Sequence, residues 1–133
     1  MSKMNSFLKG NVKQAENVSL PLDRFEEAII LRPLPSGESD IINDRCFVNK
    51  PGRKGKQERV FDVVKFNRGI SVASFVYPDL NDAELQESYG ARGAEDLYSK
   101  MFLLGEANHI LGKVTEISEI EQDINEDIEE AKN

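Results

Sequence analysis

Between Asp62 and Pro78 the residues Val63, Phe66, Ile70, Ala73 and Tyr77 recur at steps of three and four. That spacing places side chains on one face of an α-helix, whereas a half-buried strand would alternate every second residue. Pro78 closes the pattern, because a proline ring disfavours helical geometry at the residue before it. The spacing therefore predicts a helix over 62–77. An apolar stripe of that length has to be covered, so this segment is the expected central core helix. A chain of 133 residues buries well over half of its unfolded surface on folding. With 39% hydrophobic residues it has material for one core.

The remaining segments are weaker and must lean on that helix. Residues 3–15 read as a short helix with Met4, Phe7, Leu8 and Val12 at helical spacing. Val18-Ser19-Leu20 and Ala28-Ile29-Ile30-Leu31 are β-prone runs that suggest a hairpin ending at Pro33. Ser36 is placed to cap a helix over 37–48, with Ile41, Ile42, Arg45 and Cys46 partly inward. Residues 49–57, with two Gly and one Pro, read as an exposed loop. Asn81 and Glu84 resemble a capping pair for a helix over 82–89, with Gly90 as its left-handed stop. A helix over 93–102 faces inward with Ala94, Leu97 and Met101, and one over 105–118 with Ala107, Ile110, Leu111, Val114 and Ile117. Everything after Pro33 is thus expected to be helix and turn. The expected fold is mainly α within the α+β class: a small N-terminal β-hairpin packed on a compact bundle of short helices. Residues 1–16 form a helical arm, 17–118 the single domain, and 119–133 an acidic helical tail.

Charge narrows the choice of partners. Residues 1–60 carry 11 basic and 8 acidic groups, and residues 61–133 carry 6 and 16, for a net −7. An acidic chain is repelled by nucleic acid except locally, so protein partners are favoured. No stretch is long and apolar enough for a membrane span, and one cysteine, Cys46, excludes an internal disulfide.

Catalytic patterns in the sequence are weak. With one histidine, His109, a His-based metal cluster is excluded, and a zinc site would need Cys46 plus carboxylates. A nucleophilic Cys46–His109 pair is formally open, but both residues read better as structural. Gly52-Arg53-Lys54-Gly55-Lys56 departs from a phosphate-binding loop: two residues separate the glycines where four are required, and Gln57 stands where Ser or Thr should be. No enzymatic activity and no cofactor are expected. The basic residues Lys50, Arg53, Lys54, Lys56 and Arg59 still offer a rival function, a small nucleic-acid-binding regulator using loop 50–59. Interleaved aromatic residues, the usual stacking platform for single strands, are missing from that loop.

A likeness to a known family goes further. The runs Phe61-Asp62-Val63-Val64-Lys65-Phe66-Asn67-Arg68, Val76-Tyr77-Pro78-Asp79-Leu80-Asn81-Asp82-Ala83-Glu84-Leu85-Gln86-Glu87-Ser88-Tyr89-Gly90 and Gly93-Ala94-Glu95-Asp96-Leu97 resemble the XkdN-like tail assembly chaperones of phages and prophages. The ending Ile128-Glu129-Glu130-Ala131-Lys132-Asn133 is similar as well, and the likeness covers roughly residues 25–133. One departure is Leu103-Leu104-Gly105-Glu106, where the family commonly has a proline before Gly-Glu. The resemblance implies a protein that coats the tape measure protein, keeps it soluble and helps recruit tail tube subunits, with self-association possible. It places the protein in the cytoplasm of the bacterial host and not in the mature virion. It also implies two product lengths made by ribosomal frameshifting, and Ala131-Lys132-Asn133 is compatible with a slippery A AAA AAC codon run. A contact surface for an apolar client is expected at Tyr89, Leu97, Met101, Phe102, Leu103 and Leu104, since Phe102-Leu103-Leu104 is more apolar than a turn between helices requires.

Overall fold

A computed structural model describes residues 3–118. The tail helix expected over 119–133 lies outside the described residues. Two short strands, β1 (Val18–Leu20) and β2 (Ile29–Leu31), pair antiparallel with Val18 opposite Leu31. A two-stranded ribbon is marginal in water. It is completed by a third strand, β5 (Phe75–Tyr77), on the far side of β2. Ile29 and Leu31 point from the middle strand into the core, together with Leu20 and Leu22. Against them pack two of the five α-helices among the described residues: α4 (Ala94–Met101), through Leu97, Tyr98 and Met101, and α5 (Leu104–Ser118), through Ile110 and Val114. Phe25, Phe75, Tyr98 and Phe102 join this core as a chain of tilted rings with centroids 5.2–5.9 Å apart.

The coarse class, α+β with a helical majority, stands, but helix and turn do not account for everything after Pro33. Strands β3 (Phe47–Pro51) and β4 (Gln57–Phe61) form a second antiparallel ribbon, with Phe47 opposite Phe61 and Val48 opposite Val60. Its apolar pairs sit at the ribbon base, where a ring contact from Phe61 to Phe66 fastens it to α2 (Val63–Ser74). The expected loop 49–57 is the ribbon's outer half and turn. Gly52 N–H donates to the Lys56 carbonyl there, and Lys54 and Gly55 adopt positive φ of 59° and 74°. The periodicity was hidden because the strands contribute few apolar residues, and those adjoin helices with their own pattern.

The central helix also differs from expectation. α2 ends at Ser74, and residues 75–77 turn into the sheet. A reciprocal link makes the switch: Arg32 N–H donates to the Ser74 carbonyl, and the fully buried Ser74 hydroxyl donates to the Arg32 carbonyl at 2.6 Å. Val63 and Tyr77, read as inward, are 56% and 45% exposed, while the buried positions are Gly69, Ser71 and Ser74. Small residues let α2 approach α1 (Ser36–Asp44) closely but carry no hydrophobic signal. In α1 the helix stops before Cys46. Ile42 and Cys46 are buried, Ile41 and Arg45 are exposed, and Ser36 makes no capping bond.

Two smaller expectations also change. The N-terminal helix over 3–15 is replaced by two 3-10 turns, Lys3–Phe7 and Lys9–Asn11, with Phe7 80% exposed. Gly10 interrupts the pattern, and a helix that short is marginal without packing. Asp82, not Asn81, caps α3 (Ala83–Ser88) by accepting from Leu85 N–H, while Gly90 does adopt the left-handed φ of 62°.

Candidate partner-binding surface

The turn between α4 and α5 draws its shape from charge and hydrogen bonding, not from its leucines. Glu106, in the first turn of α5, reaches back to accept from Leu103 N–H at 2.8 Å, which is one half of a capping box. Arg24, from the β1–β2 connection, donates to both oxygens of that carboxylate and to the Met101 carbonyl at 3.0 Å. The hydrogen bond from Arg24 is the largest cause holding the Glu106 carboxyl below its ordinary range. Leu104 is the first residue of α5, a position where proline is tolerated because its N–H has no helical partner.

With side chains that take no part in these bonds, Leu103 and Leu104 are 59% and 80% exposed. Beside them α2, α4 and α5 enclose an open groove of about 470 Å³. Val64, Phe102, Leu104, Ala107 and Leu111 supply its apolar lining. Asn67, Arg68 and Asn108 bring polar atoms to the same groove. Arg68 Nε is buried there without a hydrogen-bond partner among the described residues, and its Nη1 meets Ser99 Oγ only at 3.5 Å. A buried guanidinium N–H left unpaired is costly.

The six residues expected to form the surface separate into two groups. Leu97, Met101 and Phe102 are 0%, 6% and 7% exposed and belong to the core, although one edge of Phe102 lines the groove. Tyr89, Leu103 and Leu104 are exposed. Val64 and Arg68 escaped sequence reasoning, and Ala107 and Leu111 were read only as part of the inward stripe of their helix. The usable signal was the row Val64, Asn67, Arg68 and Ser71, which repeats at steps of three, one and three along the face of α2 opposite to the one read as buried.

Lys50, Arg53, Lys54, Lys56 and Arg59 all lie exposed on the outer half of the β3–β4 ribbon, where charged side chains also protect a strand edge from pairing. Arg59 stacks on the Phe47 ring, 4.3 Å from its centroid. Cys46 is buried in a pocket with Ile42, Lys65 and Glu95, while His109 is exposed in another with Leu22 and Arg24. The two do not meet in one pocket. Among the described residues, none group as three or more potential metal-ligating side chains. No helix among them is long and apolar enough to cross a membrane.

Fold and surface together define a small α+β protein that carries an apolar-lined groove with the exposed Leu104 on its wall. The chain belongs to the phage XkdN-like tail assembly chaperone family, whose profile matches residues 4–132. That is a family of assembly chaperones, not of enzymes. The chain is 27% identical over 140 residues to the phage-like element PBSX protein XkdN of Bacillus subtilis (strain 168), covering 98% of this chain and 93% of that one. Its fold is similar to the crystal structure of the protein YqbN, with a TM-score of 0.70 at 21% identity, over 89% of this chain and 97% of that one.

Proposed function

We propose that this chain binds the phage tape measure protein, keeps it soluble and helps recruit tail tube subunits to it, acting in the cytoplasm of the bacterial host and leaving before the virion matures. The observation that carries this reading is Leu104, 80% exposed at the start of α5 and on the lining of an apolar groove, with Leu103 exposed beside it on the neighbouring pocket of Leu22 and Arg24. A helix laid in that groove with apolar residues at i, i+3, i+4 and i+7 buries both surfaces, the usual way a groove takes an amphipathic segment. In this reading residues 17–118 form the binding body, with 1–16 as an arm and 119–133 as a tail. Co-expression with the tape measure protein tests it. The client stays in the soluble fraction and copurifies with this chain. A client that is equally soluble alone, or that does not copurify, overturns the proposal.

The cationic outer half of the β3–β4 ribbon supports a rival, nucleic-acid binding. That reading requires DNA affinity that falls steeply with salt and depends on Arg53 and Lys54. The chaperone reading requires indifference to DNA.

A further inference from the structure

Leu103 stands where helix chemistry disfavours it. It directly precedes α5, and its carbonyl accepts the first bond of that helix from Ala107 N–H at 2.9 Å. Ser, Thr, Asp and Asn are preferred at such a position because their side chains accept from open N–H groups of the first turn, and leucine has no acceptor to offer. The turn therefore has to be closed from outside. The Arg24–Glu106 pair closes both helix ends: Glu106 accepts from Leu103 N–H, and Arg24 holds that carboxylate while donating to the Met101 carbonyl, an open acceptor at the end of α4. Phe25, next to Arg24 in the chain, packs its ring on Phe102 with centroids 5.5 Å apart. A single connection, between β1 and β2, thus keeps Phe102 in the core and leaves the two leucines on separate surfaces. Leu103 lines the pocket of Leu22 and Arg24, and Leu104 the groove of Val64 and Leu111.

We propose that Arg24 is the positioning residue of the client-binding surface: through Glu106 and Met101 it fixes the turn that presents Leu103 and Leu104, and it acts through that turn, not by its own charge. The inference rests on the chaperone reading. Attraction between opposite charges at a protein surface contributes little by itself. What this pair supplies is geometry: Glu106 Oε1, Glu106 Oε2 and the Met101 carbonyl converge on one planar guanidinium, whose fork of donors a lysine lacks. Without the fork, the carbonyl of Met101 and the carboxylate of Glu106 are no longer held together, and the leucines lose their fixed placement on either surface.

Titration of the full chain against the tape measure protein, carried as a soluble fusion, tests this, with thermal melting by circular dichroism to check that each variant folds. R24M weakens binding about fivefold, a coupling within the range of residues that share one hydrogen-bond network. R24K keeps the charge, loses the fork and binds as weakly as R24M, and it serves alone if R24M does not fold. In the L103S/L104S background neither variant causes a further loss, because nothing is left to position. Binding as tight as that of the unaltered chain overturns the proposal. So does full recovery in R24K, which assigns the effect to charge, or an equal further loss in the L103S/L104S background, which assigns it to general stability. Amide exchange followed by NMR needs no client: Leu103 N–H exchanges severalfold faster in R24M or R24K, while the amides of the buried Ile110 and Val114 do not change. Unchanged exchange at Leu103 also overturns the proposal. If the unaltered chain binds no tape measure protein, the chaperone reading fails, and exchange at Leu103 still decides whether Arg24 shapes the turn. If the unaltered chain binds it and the Arg24 variants bind equally well, this inference fails alone.

Discussion

Gly69 lies in the middle of α2, where glycine costs about 0.5–1 kcal/mol relative to alanine. On helix propensity alone, G69A stabilises the protein. The packing says otherwise: a Cβ at position 69 would sit 2.8 Å from Ile42 Cγ2, closer than carbon atoms approach without displacement. Ile42 is only 5% exposed, so it cannot swing into water to make room. Overpacking of this kind costs about 1–3 kcal/mol, leaving G69A less stable by about 1 kcal/mol. Urea denaturation of the unaltered chain, G69A, I42A and the double variant measures the balance. I42A alone costs about 2–5 kcal/mol by leaving a cavity. In the double variant the new methyl group occupies part of that cavity, so the combined loss falls short of the sum by about 1 kcal/mol or more. A G69A chain as stable as the original, or strictly additive losses, refutes the close approach of α1 and α2.

Three further outcomes follow from the same structure. L103S/L104S leaves stability within about 0.5 kcal/mol, as expected for exposed positions. It weakens capture of the tape measure protein by roughly 2–4 kcal/mol, since full burial of a leucine is worth about 1.5–3 kcal/mol and these two have 59% and 80% of their surface left to bury. Copurification measured beside thermal melting separates the two effects. S74A removes the hydroxyl that joins α2 to β2 and lowers stability by about 1–2 kcal/mol in urea denaturation, because the part-buried Arg32 carbonyl loses its donor. Hydrogen bonds from Arg24 and Arg32 lower the Glu106 and Glu38 carboxyls from their ordinary value of 4.5. The unfolded chain therefore binds protons first on acidification, and stability present above about pH 4.5 declines as the pH falls through the lowered folded values. E38Q/E106Q flattens that decline in acid titrations followed by circular dichroism.

The sequence by itself determined the helical majority, because the patterns of α4 and α5 need only their own residues to be read. Leu97 with Met101, and Ile110 with Val114, sit on the faces their spacing assigns. The β-prone runs that pair as β1 and β2 were legible in the same way, and so was the family, in residues 61–97. Tertiary structure decided the rest. The burial of Gly69, Ser71 and Ser74 comes from close contact with α1 and β2, and small residues leave no hydrophobic trace in a periodicity. The β3–β4 ribbon is fixed by ring contacts that run from Phe47 to Phe61 and on to Phe66, and the exit of α2 into β5 by hydrogen bonds to Arg32, 42 positions away. The groove follows the same logic. Exposed leucines can be suspected from Phe102-Leu103-Leu104, but which of the three face water depends on Arg24 and Glu106 meeting across 82 residues, a contact that no local pattern encodes.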